Sequence, residues 1–138
     1  MIFESHTAYL GLGSNIGARK QNLDAAIAAI AALPGTVVEA VSSFINTAPV
    51  GLVDQPDFLN AVIRVRTGLS PHALLGAALG IEAAMGRVRN VQNGPRVIDI
   101  DLLMMDDFVI NTSELVVPHP RMEEREFVMV PLGEVKKC

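Results

Sequence analysis

The chain has 138 residues, half of them hydrophobic, a formal net charge of -4 and one cysteine, Cys138. That length and apolar content suit a single domain over residues 1–138 with a substantial core. They leave no apolar run long enough to span a membrane, no partner for an intrachain disulfide and no broad basic surface for nucleic acid. The expected protein is cytoplasmic and monomeric, or at most a weak dimer.

Thr7 to Leu12 reads as a first strand, and Gly13-Ser14-Asn15 after it has turn chemistry. Such a turn can cradle phosphate, but no Gly-Lys-Ser/Thr follows and no Gly-x-Gly-x-x-Gly opens a helix, so a structural turn with some ligand contact is expected. From Lys20 to Ala32, Leu23, Ile27 and Ile30 recur at three- and four-residue steps among alanines, which predicts a helix ended by Pro34-Gly35. Thr36 to Phe44 reads as a second strand. The segment from Ile45 to Asp57 carries Pro49, Gly51 and Pro56 and has the length of a functional loop.

Phe58 to Arg66 alternates cleanly. Leu59, Ala61, Ile63 and Val65 share an apolar face, and Phe58 and Asn60 share the other, where a ring and a carboxamide side by side suit a flat heterocycle. Ser70-Pro71 gives an N-cap and a first-turn proline for a second helix through Leu74, Leu75, Leu79, Glu82 and Met85, stopped at Gly86. Arg87 to Pro95 loses periodicity and reads as a mobile basic loop able to close over phosphates.

Gly94 to Leu103 then places two acids in a β-branched, strongly apolar strand. Asp99 and Asp101 share one face, roughly 7 Å apart at Cα, and Ile98, Ile100 and Leu102 take the opposite one. Paired carboxylates at that separation suit magnesium, which accepts one or two of them and completes its shell with water and substrate phosphates. An ion pair with Arg96 is the bland alternative. Against it, five of the eight arginines lie between Arg87 and Arg125, with only three lysines in the chain. Guanidinium forks beside a metal-competent acid pair are what phosphoryl transfer uses. Asp106-Asp107 turns the chain, and Phe108 to Ile110 is expected to pair back as a short strand. Val116 to Arg121 reads as a proline-braced loop holding His119 rigidly, and Glu123 to Phe127 as a helical turn before a polar tail.

The resulting order, β-α-β-β-α-β, predicts an α+β ferredoxin-like sandwich: an antiparallel sheet with helices on one face and the cleft on the other. Phe58 and Asn60 should then lie near Asp99 and Asp101.

Five blocks in order resemble the 6-hydroxymethyl-7,8-dihydropterin pyrophosphokinase family: Tyr9 to Asn15, Asp54 to Ala61, Gly86 to Arg89, Gly94 to Leu103, and Val117 to Arg121 through Phe127. The resemblance implies transfer of a diphosphoryl group from ATP to the pterin's hydroxymethyl oxygen. By position, Asp99 and Asp101 would bind two magnesium ions, with Arg87 and Arg96 as further catalytic residues. Arg87, Arg89, Arg96, Ile98, His119 and Arg125 would bind ATP. Thr47, Ala48, Val50, Phe58, Asn60 and Phe127 would hold the pterin. Where some members carry a lysine and a tryptophan in the basic loop, this chain has Asn90 and Asn93. Two other readings compete. A non-catalytic ferredoxin-like module binding pterin or nucleotide would not need both acids, the loop arginines and His119, and a metal-dependent nuclease conflicts with the acidic balance.

Overall fold

The computed structural model describes residues 4–49, 54–86 and 95–136. Its described elements are β1 (His6–Ser14), α1 (Arg19–Ala31), β2 (Thr36–Val41), β3 (Ile45–Thr47), β4 (Phe58–Thr67), α2 (Pro71–Ala84), β5 (Asp99–Met105), β6 (Ile110–Asn111), β7 (Val116–Val117) and α3 (Glu126–Val135). A single 3-10 turn, Met122–Glu124, precedes α3. The main sheet is antiparallel in the order β2-β4-β1-β5, with β3 also paired to β4. Among the described residues no helix is long and apolar enough to cross a membrane.

Period-two alternation sorts each strand between two cores. Ala8, Leu10 and Leu12 of β1, Ala61, Ile63 and Val65 of β4, and Ile100 and Leu102 of β5 meet Leu23, Ala26 and Ile30 of α1 and Leu74 and Ala78 of α2. The predicted helix signals operate as expected. Ser70 Oγ accepts the Ala73 N–H at 3.2 Å above Pro71, and Gly86 leaves α2 at φ +90°, a conformation glycine adopts without a Cβ clash.

The opposite sheet face departs from expectation. It is not left wholly to ligand, because the segment read as one turn and a polar tail continues into α3. Val128, Leu132 and Val135 of that helix close a second core over Tyr9, Val62 and Leu103. The sequence concealed α3 behind Pro131, which normally breaks a helix. Two further differences are local. The strand read through Phe44 ends at Val41, and β3 begins at Ile45 inside the segment expected to be loop. Phe108 to Ile110 does not pair back on the acid strand; Ile110 and Asn111 pair with Val117 and Val116 in a separate two-stranded sheet. The predicted turn at Asp106 is present at φ +44°, its carboxylate accepting the Thr7 N–H at 2.9 Å.

Candidate functional site

The uncovered part of that second face is a cleft, and the register explains what lines it. Gly13 of β1 pairs with Asn60 on one side and Asp99 on the other; Gly11 pairs with Val62 and Asp101. Two rows therefore run across three strands, acid to glycine to β4. With strands about 4.8 Å apart, each acid lies about 10 Å from the β4 end of its row. A Cβ on Gly13 would come within 2.9 Å of Asn60 Oδ1 and 3.6 Å of Phe58 Cδ1. The bare backbone of Gly11 and Gly13 thus keeps a floor open between the acids and the aromatic end.

The cleft encloses about 920 Å³ of empty space, its open mouth included. Thr47, Ala48, Phe58, Asn60, Arg96, Asp99, Asp101, His119, Arg125 and Phe127 all line it, so ten predicted site residues share one concavity. Ile98 does not. It is fully buried in the helix-side core, because it stands one position out of phase with the acids and its side chain points to the other face. Val50, Arg87 and Arg89, with Asn90 and Asn93 of the expected closing loop, lie outside the described residues.

At the acid end, Asp99 and Asp101 face the cleft and not the helices. Arg96 Nη1 reaches Asp99 Oδ2 at 3.4 Å, so the pairing weighed from sequence is present, yet both acids remain on the cleft wall. Burial first, then the charge and hydrogen bonding of neighbouring Asp99, then the Glu82 carboxylate, push Asp101 up to about 8 against the pull of Arg125. Glu82 stands behind β5 on α2, buried, and accepts the Ile100 N–H at 2.8 Å. Since β5 is the sheet edge, that bond satisfies an edge donor.

A bulge in the β1–β5 pairing leaves Leu103 without a ladder partner, and its carbonyl accepts the His119 N–H at 2.7 Å. His119 Nδ1 accepts the Arg121 N–H at 3.3 Å, which leaves Nε2 as the protonated nitrogen of the neutral ring. Burial, then Arg125, hold the His119 pKa below its usual range. The neutral imidazole can therefore donate one hydrogen bond from Nε2.

At the aromatic end, Asn60 Nδ2 donates to Thr47 Oγ1 at 2.6 Å, which orients the carboxamide beside Phe58. Arg96 lies 5.6 Å from the Phe58 ring centre and Arg125 lies 5.7 Å from that of Phe127, so each guanidinium tops an aromatic face. Sequence reasoning did not place Gly11 and Gly13 in the cleft floor, and carried Arg121 only as one of the clustered arginines. Two glycines at alternate positions of a strand were the available signal for the first pair. The signal for Arg121 was its place among the five arginines between Arg87 and Arg125.

Among the described residues, no group of three or more His, Cys, Asp or Glu side chains is placed to hold a metal ion. The donor set is a carboxylate pair with one member reluctant to ionise. It fits a hard cation that brings most of its ligands with a substrate, as magnesium does with nucleotide phosphates.

Fold and site thus define an α+β protein whose described residues form a cleft with carboxylates and guanidinium groups at one end and aromatic and carboxamide groups at the other. Comparisons with known proteins agree. A model of the 7,8-dihydro-6-hydroxymethylpterin-pyrophosphokinase family matches residues 9–137, and the chain belongs to that family. The 2-amino-4-hydroxy-6-hydroxymethyldihydropteridine pyrophosphokinase of Methylorubrum extorquens is 50% identical over 128 residues, 93% of this chain and 81% of that protein. The Bacillus subtilis protein of the same name is 44% identical over 131 residues, 95% and 78% of the two chains. That of Haemophilus influenzae is 43% identical over 129 residues, 94% and 81%.

Proposed function

We propose that this chain transfers diphosphate from ATP to the hydroxymethyl group of 6-hydroxymethyl-7,8-dihydropterin, giving AMP and the pterin diphosphate, as a step of folate biosynthesis. One observation carries the reading: across a two-glycine floor, a single cleft joins the Asp99 and Asp101 pair to the Phe58, Asn60 and Phe127 group. The strand order β2-β4-β1-β5, with helices after β1 and β4 packed on one face, supports a ferredoxin-like core to which β3 and α3 are additions.

In this reading the pterin lies between Phe58 and Phe127, and Asn60 reads its hydrogen-bonding edge. The hydroxymethyl oxygen then points along the floor toward the acids. It attacks the β-phosphorus, the bond from that phosphorus to the α-bridging oxygen breaks, and AMP leaves with the electron pair as the hydroxyl proton passes to solvent. Arg96 and Arg125 neutralise phosphate oxygens with guanidinium forks. His119, neutral and protonated on Nε2, donates to another oxygen without adding charge. Asp99 and Asp101 would hold magnesium, two ions by the family resemblance, which supplies charge neutralisation and alignment of the phosphates. Arg87 and Arg89 complete the phosphate set in this proposal, and Val50 the pterin set. A cytoplasmic monomer is part of the same reading and is checked by fractionation and size-exclusion chromatography.

The test is incubation with ATP, magnesium and the dihydropterin, following AMP and pterin diphosphate. Both are expected in equal amounts, and Asp99→Ala or Asp101→Ala should lower turnover more than about a hundred-fold with the fold intact by circular dichroism. Pterin binding without AMP formation by the wild type would identify a non-catalytic binding module instead.

A further inference from the structure

The turn after β1 contains a polar residue that the proposed chemistry does not use. Asn15 is 2% exposed and is not among the residues that line the cleft. Its side chain nevertheless bonds to segments that lead into both ends of it. Nδ2 donates to Gln55 Oε1 at 2.8 Å and to the Pro56 carbonyl at 3.0 Å, while Oδ1 accepts the Arg96 N–H at 2.9 Å. The Asn15 backbone N–H also donates to the Arg96 carbonyl at 3.1 Å.

Gln55 and Pro56 lead directly into Phe58, the stacking residue of the proposed pterin end. Arg96 is the residue whose guanidinium meets Asp99 at the phosphate end. Both peptide groups flanking the Arg96 Cα are thus tied to one residue, so Arg96 cannot shift without Asn15. Arg19 strengthens the pterin-side anchor. Its Nη1 donates to Asn46 Oδ1 at 2.6 Å and to the Asp57 carbonyl at 3.0 Å, and Asn46 Nδ2 donates to Asp57 Oδ2 at 2.9 Å. Asn15, unlike Arg19, continues the connection to the acid end. Moving the buried carboxamide would break its bonds to three part-buried partners at once, so the segments it joins respond as a unit.

We propose that Asn15 is a positioning residue that couples the two substrates: seating of the pterin beside Phe58 sets the Arg96 backbone for the nucleotide, and nucleotide binding does the reverse. The inference rests on the function proposed above. Coupling of this kind is reciprocal, so either ligand reports it.

The experiment measures the dissociation constant of 6-hydroxymethyl-7,8-dihydropterin by calorimetry, without and with saturating magnesium and α,β-methylene ATP, which cannot be cleaved at the reacting bond. The ratio of the two constants should be at least about five-fold in the wild type. Asn15→Asp keeps an acceptor for the Arg96 N–H but sets oxygen against Gln55 Oε1 and the Pro56 carbonyl. It should bring the ratio to within about two-fold of one, with each ligand still binding alone. Gln55→Ala removes one arm of the connection, lies outside the cleft lining, and should lower the ratio at least about three-fold; it decides the matter if Asn15→Asp melts below the assay temperature. A wild-type ratio retained in a folded variant, or parallel weakening of both constants, overturns the coupling. A wild type that binds both ligands with a ratio of one overturns the coupling and leaves the function standing, whereas a wild type that binds neither overturns both.

Discussion

Gly13 shows how much one missing side chain decides. It is the penultimate residue of β1, inside a strand where glycine is ordinarily a weakness, and its absent Cβ is the space into which the Asn60 carboxamide projects. Asn60 is buried and held by Thr47, so it cannot swing aside freely. Gly13→Ala should therefore displace the carboxamide and weaken pterin binding about ten-fold, the loss of one well-made hydrogen bond. Nucleotide affinity should stay within about two-fold, and titration calorimetry with each ligand separates the two effects. Asp101 gives a second prediction. Its pKa is raised from 3.8 to about 8, so the folded state holds a proton that the unfolded chain releases near 3.8. Stability from this group is full below pH 4 and is lost as the pH rises through 8. Asp101→Asn should accordingly melt higher than the wild type at pH 9, by more than about 4 °C if the difference exceeds about 1 kcal/mol, and match it at pH 4. Equal melting curves at both pH values would contradict the raised pKa.

At the scale of elements, α3 is the part of the molecule that makes the second sheet face into a cleft and not an open plane. It is tied down at its far end, where Glu134 accepts from Ser43 N–H at 2.9 Å and Ser43 Oγ at 2.8 Å and Arg64 donates to the Val135 carbonyl. At its near end it presents Phe127 to the cleft. Leu132 is 1% exposed within its core, whereas Val130 is 58% exposed. Leu132→Ala should cost about 3 kcal/mol in urea unfolding, and Val130→Ala less than about 0.5 kcal/mol. Because α3 carries Phe127, the first substitution should weaken pterin binding as well. The sequence could not display this helix, since Pro131 within it argues for a break. Only its burial against Tyr9, Val62 and Leu103 shows what holds it together.

For the whole molecule, the division of labour across the sheet bears on how the proposed magnesium would be held. The helices bury one face, and the glycine floor, the acids and the aromatic set share the other. Under the proposed function, two carboxylates without a third His, Cys, Asp or Glu among the described residues would make a magnesium site that is incomplete until phosphates arrive. Magnesium alone should bind the protein in the millimolar range, and α,β-methylene ATP should tighten it at least about ten-fold. Manganese relaxation enhancement, with and without the analogue, reads this directly. Equal affinity in both states would place the cation elsewhere.

What the chain decided locally is its alternation. Phe58 with Asn60, and Asp99 with Asp101, had to share faces because side chains on a strand repeat every second residue, and capping at Ser70 and Gly86 bounded α2 for equally local reasons. The apolar partners of those strands were likewise visible as runs of Leu, Ile and Val. Which polar pair would meet which was a matter of strand order and register, quantities set by long-range pairing and not by neighbours in sequence. Tertiary structure alone placed Gly11 and Gly13 between the two pairs. It also sent Ile98 into the helix-side core, packed α3 on part of the cleft-bearing face and gave Asn15 bonds to segments 40 and 81 positions away. Each of these depends on contacts between distant parts of the chain, whose energy no local pattern encodes.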